Sequence, residues 1–438
     1  MINNLKWLLP GLKVKRWLFF ATAGIIAIAT GLAVIADIGI DFAVYLKESS
    51  SILLGLIAII IGLLMVVVGL RKTVRSILSV IVPLNENKLV DTVFAKRNLK
   101  KGPKIVTIGG GTGLSVLLRG LKSYTSNITA IVTVSDDGGS SGRLRGELGI
   151  LPPGDIRNCL VALADTETLM DDIFNYRFNE GAGLKGHNLG NLLLAAMTDI
   201  SGDFNKATQE LSRVLAIRGK VLPSTLSNVT LSAKLASGKI VRGETYVGKT
   251  SGNIEKVYLE PMDSEPLPEA VKAIMEADMI VLGPGSLYTS VIPNLLIKDL
   301  LTALKKTKAP VAYVCNVMTQ PGETQGYTAL QHLKAIEAHG ARGLINYMIV
   351  NDAPILLEML EKYEEKGATP VVVKEDLINR KGVEVVKASL VDQEDLVRHD
   401  SDKLARVVLQ TIFRIKSNSE KVRLFDIYLN EKIKDLSD

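Results

Sequence analysis

Cysteine is nearly absent from this 438-residue chain. Only Cys159 and Cys315 occur, far apart in ordinary apolar segments, which excludes a disulfide framework and any cysteine-based metal spacing. They suit a reducing compartment. Aromatic residues make up only 5%, so few are available to stack on a flavin-like ring. Two common nucleotide signatures are missing as well. Starting from Gly109, G-x-G-x-x-G would need glycine where Leu114 stands, and from Gly111 it would need glycine where Val116 stands. No Gly-Lys-Ser/Thr follows to make a P-loop. A nicotinamide oxidoreductase and a P-loop NTPase are therefore disfavoured. The globular part of the chain also lacks excess positive charge. The net +6 divides into +2 for residues 1–70, +7 for residues 71–104 and −3 for the remainder. A nucleic-acid binder usually carries its excess on the folded domain, so no nucleic-acid partner is expected. The basic stripe reads instead as a partner for anionic lipid headgroups.

What is present begins with two long apolar runs. Trp17–Ala36 and Ser51–Leu70 each hold 20 residues without a charge. As helices they reach across a hydrocarbon core of about 30 Å. The first is too long for a signal-peptide core, and the second follows soon after it. Lys6, Lys13, Lys15 and Arg16 precede the first run, and Arg71, Lys72 and Arg75 follow the second. The loop between them holds Lys47 against Asp37, Asp41 and Glu48. The positive-inside bias places both termini and the soluble body on the cytoplasmic side of the cell membrane. Neither run contains an ionisable residue, so nothing points to a transport path. The expected organisation is a transmembrane hairpin within residues 1–70 (spans about 17–36 and 51–70), a basic juxtamembrane linker over 71–103 broken at Pro83 and at Lys100–Pro103, and a nucleotide-binding domain over 104–438.

The body opens with a β-branched run, Lys104–Ile108, that enters Gly109-Gly110-Gly111-Thr112-Gly113. Leu114, Leu117, Leu118 and Leu121 follow at helical spacing. In a strand, glycine loop and helix of this kind, backbone N–H groups approach a phosphate closely and the helix N-terminus adds positive dipole. Ile128–Val134 reads as the next strand and ends in Ser135-Asp136-Asp137-Gly138-Gly139-Ser140-Ser141-Gly142-Arg143. Carboxylates at a strand's carboxyl end lie where open α/β sheets bind ligands. Asp136 and Asp137 are thus candidates to hold Mg²⁺ or accept ribose hydroxyls. Arg143, with Arg145 behind it, is a candidate phosphate clamp, and Ser140 belongs to the same loop. Asp155 is expected to cap a helix. Arg157 near that helix start opposes the dipole, which suits a nearby anion. His187, Asn188 and Asn191 open a further apolar helix, although a lone histidine is more often structural than catalytic. Val229–Leu235 and Lys239–Tyr246, joined at Ser237-Gly238, predict a β-hairpin insertion. Ala277–Leu282 leads into a second glycine loop, Gly283-Pro284-Gly285-Ser286. Ala309–Cys315, Tyr347–Asn351 and Thr369–Val373 read as strands, and Asp400-Ser401 caps a helix over Lys403–Arg414. Alternating strands and helices predict an α/β fold with a doubly wound, mostly parallel sheet.

Taken in order, IGGGTGLSVLLRGLK, VSDDGGSSGRLR, LPPGDIRNCLVALA, GHNLGNLLLAA, LGPGSLYTSVIPNLL and NVMTQPGET resemble the gluconeogenesis-factor proteins of bacteria. These are related to the 2-phospho-L-lactate transferases of deazaflavin coenzyme biosynthesis. The resemblance runs from about Lys104 to about Ile415 and implies a Rossmann-like nucleotide-binding fold. It implies that Gly110, Gly111, Thr112 and Gly113 cradle nucleotide phosphate and that Asp136 and Asp137 contact ligand or metal. Asn188 and Asn191 would share the cleft, walled by Gly283, Gly285 and Ser286. The gluconeogenesis-factor branch is implied to bind nucleotide sugars such as UDP-N-acetylglucosamine and to act in cell-wall homeostasis and cell shape during growth on gluconeogenic carbon. No established reaction comes with it. The transferase branch moves a phospholactyl group from a guanosine diphosphate derivative to a deazaflavin, with Mg²⁺. Most gluconeogenesis factors are soluble, so the membrane hairpin departs from the pattern. The combined expectation is a membrane-anchored UDP-sugar-binding regulator that forms a homo-oligomer, with no established cofactor beyond a possible Mg²⁺ ion. The alternative is a Mg²⁺-dependent transferase of the phospholactate type. Gly111→Val or Asp136→Asn is expected to abolish nucleotide binding without unfolding the domain. Titration calorimetry alongside circular dichroism tests this, and wild-type affinity in either variant removes the pocket.

Overall fold

The computed structural model describes residues 15–35, 50–81, 99–165, 169–250, 252–392 and 397–416. The chain divides into two compact units between Lys96 and Arg97.

The first unit consists of α1 (Lys15–Ile35) and α2 (Ser50–Ile81). Each contains a stretch long and apolar enough to cross a membrane. Lipid tails are as apolar as leucine, so helices in a bilayer associate through close packing rather than hydrophobic exclusion. Here the close packing is made by glycines seven residues apart, Gly24 and Gly31 on α1 and Gly55, Gly62 and Gly69 on α2. A Cβ placed on Gly24 would lie 2.6 Å from the Gly62 carbonyl oxygen, and one on Gly55 would lie 2.9 Å from that of Gly31. The two backbones therefore touch, and the pairing is antiparallel. A seven-residue seam winds helices into a left-handed supercoil. At one end, the Arg16 guanidinium and the Lys72 ammonium stand 5.7 and 5.4 Å from the centre of the Trp17 ring. Helix α2 runs on to Ile81, so the first part of the expected linker is helical. Pro83 lies outside the described residues.

The second unit opens with β1 (Ile105–Gly109), α3 (Gly111–Leu121), β2 (Ile128–Val132), α4 (Gly139–Leu148) and α5 (Gly154–Leu163). After α6 (Leu189–Ser201) come β3 (Lys220–Pro223), β4 (Thr230–Leu235), β5 (Ile240–Arg242), α7 (Glu244–Val247) and β6 (Ile254–Glu260). Then β7 (Met279–Leu282), β8 (Val311–Val314), β9 (Tyr347–Asn351) and β10 (Glu384–Ala388) lead to a short pair, β11 (Val391–Asp392) and β12 (Arg398–His399), and to α8 (Ser401–Lys416). Seven strands form one sheet in the order β10-β9-β8-β7-β1-β2-β3. Every pairing in it is parallel. Its central strands β1, β7 and β8 are buried throughout, which explains their mainly apolar sequences. From β1 the chain winds outward through β2 to β3, and from β7 it winds the other way. The sheet therefore has its topological switch point between β1 and β7, where the carboxyl ends of the strands leave a crevice.

The insertion is an antiparallel sheet in the order β5-β4-β6, turning at Ser237-Gly238. The second hairpin strand is shorter than expected. Gly243, at φ +99°, ends it, and Glu244–Val247 form a helical turn instead of continuing to Tyr246. Thr369–Val373 is also not a strand. Pro370 has no N–H to donate to a ladder, and only a single bridge to Met318 forms. The outer position is taken by β10. Asp400 caps α8 as expected, its Oδ1 accepting the N–H groups of Asp402 and Lys403 at 2.9 Å.

Helix α8 packs on α3 at Gly120, where a Cβ would run into the Ser401 carbonyl. Gly120→Ala is expected to lower the stability of the body by about 1–3 kcal/mol through overpacking. Gly146→Ala, in α4 with no neighbour within 4 Å, should instead raise it by about 0.5–1 kcal/mol from helix propensity. Paired urea denaturation curves check both signs.

Candidate functional site

At the switch point the backbone leaves β1 through Gly110 and turns directly into α3. Gly111 holds φ +65°, a left-handed conformation that side chains disfavour. Gly110, in the capping position, offers no side chain to the helix N-terminus. A Cβ on Gly113 would lie 2.8 Å from the Pro284 carbonyl oxygen and 2.9 Å from Gly285 Cα, so the two glycine loops meet backbone to backbone. Beside them is a cleft of about 660 Å³, the size of a small-molecule site.

Its walls come from elements far apart in sequence. Gly110, Gly111, Thr112, Gly113, Asp136, Asp155, Gly285 and Ser286, all from the sequence motifs, line it. Asp155 does not cap its own helix. Its carboxylate reaches across to accept the Gly111 N–H. Asp136 accepts the Gly138 N–H at 2.9 Å. Glu244 enters from the insertion on α7, a residue the sequence reading placed in a strand and did not single out. Burial pushes the Asp155 carboxyl up to about 7 and that of Glu244 up to about 8, with Asp136 next in effect on both. Burial raises Asp136 itself as well. Asn316 and Gln320, from the NVMTQPGET motif, line the cleft from the loop after β8, and Lys366, Arg398 and His399, which no motif marks, complete the lining.

The remaining motif residues lie outside the cleft lining. Asp137 accepts the Thr245 N–H at 2.9 Å and fastens the insertion. Ser140 Oγ stands 3.1 Å from His187 Nδ1 and accepts the Asn188 N–H at 3.3 Å. Asn188 caps α6 by accepting the Asn191 N–H at 3.1 Å. Asn191 Oδ1 in turn accepts from Arg157 Nη1 at 3.2 Å. Arg143 donates to the Lys185 carbonyl at 3.0 Å. Ser140, His187, Asn188, Asn191 and Arg157 form a buried network, whereas Arg143 is exposed. Gly283, at φ +77°, makes the turn out of β7. Among the described residues, no three His, Cys, Asp or Glu side chains gather as a metal site. A cation would therefore rely on Asp136 and Asp155 together with oxygens from a ligand.

A family model described as 2-phospho-L-lactate transferase CofD matches residues 105–391. The Bacillus subtilis gluconeogenesis factor is 50% identical over 311 residues, covering 71% of this chain and 98% of that protein. The chain belongs to the gluconeogenesis factors of the CofD family. A Nostoc protein provisionally named a gluconeogenesis factor is 49% identical over 420 residues, 92% of each chain. A match of that length necessarily takes in part of the region before Lys104. A solved structure of a UPF0052-family protein from Bacillus halodurans superposes with a TM-score of 0.68 at 49% identity, covering 70% of this chain and 99% of that one.

The raised carboxyls of this gluconeogenesis factor set a sign for its pH dependence. Asp155 and Glu244 bind protons more tightly folded than unfolded, so their contribution to stability is fully present below the ordinary carboxyl range of about 4. It is lost as pH rises through about 7 for Asp155 and about 8 for Glu244. Melting temperatures at pH 5, 7 and 9 should fall across this window. Glu244→Gln should flatten the upper half of the fall, and an unchanged profile would show that Glu244 is not held protonated.

Proposed function

We propose that this chain is a membrane-anchored regulator that binds a nucleotide sugar of the UDP type in the switch-point cleft and serves cell-wall and cell-shape homeostasis together with carbon metabolism. One observation carries the binding part: a glycine-rich loop at a helix N-terminus and a group of buried carboxyls line a single cleft. The helix N-terminus suits a diphosphate, because its first N–H groups and dipole favour anions. Asp136, Asp155 and Glu244 are acceptors suited to ribose and sugar hydroxyls. Lys366 and Arg398 add positive charge from the far wall. The anchoring part rests on the two apolar helices. The basic residues flanking them favour a cytoplasmic body with both termini on that side, and Arg71, Lys72 and Arg75 suit contact with anionic lipid. Association with a second copy belongs to the same proposal.

The description of the matched family model favours a second reading, a Mg²⁺-dependent transferase of the phospholactate type. In it, Asp136 and Asp155 would hold the ion, which would polarise a phosphoryl oxygen of the donor. Asp137, engaged with Thr245, is turned toward the insertion.

Titration calorimetry of the full chain with UDP-N-acetylglucosamine, GDP and NAD, with and without Mg²⁺, separates the two. A preference for the UDP-sugar, independent of Mg²⁺, is expected. A Mg²⁺-dependent preference for GDP would transfer the assignment to the transferase, and binding of none of them would remove both.

A further inference from the structure

The two glycine loops look alike in sequence, and the helix start after each meets a carboxyl from elsewhere in the fold. At α3, Gly110 gives no side-chain cap and the Asp155 carboxyl takes the Gly111 N–H. The second loop, residues 283–290, runs into a π-helical turn, Leu287–Val291, that is already capped from within. The Tyr288 N–H donates to Glu323 Oε2 at 3.2 Å, and the Thr289 hydroxyl donates to Glu323 Oε1 at 3.0 Å. The Thr289 N–H reaches the same carboxylate. Donors held by an internal anion are not offered to a ligand, so the second loop serves as a wall.

Glu323 is buried and does not line the cleft, yet it stands where three cleft-forming segments meet. It belongs to the loop after β8, whose Asn316 and Gln320 face the ligand space. Gln320 makes a second tie between the same two loops, its Nε2 donating to Ser286 Oγ at 2.8 Å. The insertion closes on the same point. A Cβ on Gly322 would lie 2.8 Å from the Gly248 carbonyl oxygen, and one on Gly248 would lie 3.6 Å from Glu323 Oε1. Burial pushes the Glu323 carboxyl up to about 6, so at neutral pH the anion, the stronger acceptor, makes these bonds.

We propose that Glu323 is a positioning residue of this cleft. By capping the turn at 287–291 it fixes the 283–290 wall against the 316–324 wall, and it sets ligand affinity without touching the ligand. The nucleotide reading of the cleft underlies only the affinity part of this statement.

Two measurements on the full chain test it, using Glu323→Ala and Glu323→Gln. The amide of Gln is isosteric: its oxygen accepts the Tyr288 N–H, and its NH₂ donates to the Thr289 hydroxyl. Hydrogen exchange without ligand should show the Tyr288 and Thr289 amides opening about tenfold faster in Glu323→Ala, with the β1 and β8 amides unchanged and Gln restoring most of the protection. Affinity for UDP-N-acetylglucosamine should fall by about tenfold or more in the Ala variant, which leaves the Tyr288 N–H and the Thr289 N–H and hydroxyl without their acceptor, and should recover in Gln. Wild-type exchange at both amides in Glu323→Ala overturns the proposal, as does faster exchange spread evenly over the whole body. If the wild-type chain fails to bind the UDP-sugar, the ligand assignment falls, and the exchange result still decides the role of Glu323.

Discussion

Contact between two backbones at the switch point is the constraint from which the rest of the site follows. Strands β1 and β7 are neighbours, and both run out into glycine at the same edge of the sheet. A side chain on Gly113 would have nowhere to go, with Pro284 and Gly285 inside 3 Å of its Cβ position. That floor is built largely of peptide groups, to which Thr112 and Ser286 add hydroxyls. The acidic side chains of the cleft are brought in by other elements: Asp136 after β2, Asp155 on α5 and Glu244 on the insertion. The Asp155 carboxyl takes the Gly111 N–H at the start of α3, so the glycine loop and the acids meet directly.

Gathering carboxylates in a partly buried cleft works against folding, and the fold offsets this locally. The N–H groups of Gly111 and Gly138 each serve an acid. Arg145 lies close enough to influence Asp136 while donating to the Val229 carbonyl at 2.7 Å, which ties the base of the insertion to α4. Strongly shifted carboxyls concentrated in one cleft are a common mark of functional sites. Asp136, Asp155 and Glu244 fit that pattern, whereas the surface ion pairs of this chain do not approach it.

The sequence was most legible where burial makes strands plain. Tyr347–Asn351 was located to the residue, and the two glycine loops marked both sides of the switch point. Edge strands were harder. Lys220–Pro223 and Glu384–Ala388 carry charges and are short, so period and propensity say little. Thr369–Val373 has the β-branched composition of a strand, but Pro370 cannot join a ladder. In the site, motif residues divided into two groups. Asp136, Asp155 and the two glycine loops reached the cleft, while His187, Asn188, Asn191 and Arg157 turned to fastening one loop to another. The far wall was illegible because Lys366, Arg398 and His399 have no signature of their own. They come together only through tertiary folding. Asp155 was recognised but assigned the wrong partner, since a local cap competes with a contact that spans 44 residues of chain.

The glycine seam of the two apolar helices carries a consequence for how such a pair evolves. Because Gly24 faces Gly62 and Gly31 faces Gly55, inserting or deleting a single residue inside either helix would rotate its glycines about 100° out of the seam and drive larger side chains into the partner backbone. Seven residues would restore the face. The spans should thus change length over evolutionary time in whole heptads, while the segment joining them is free of that arithmetic. Two homologues whose paired helices differ in length are then expected to differ by one repeat of the seam, about 10 Å of helix, rather than by a gradual series.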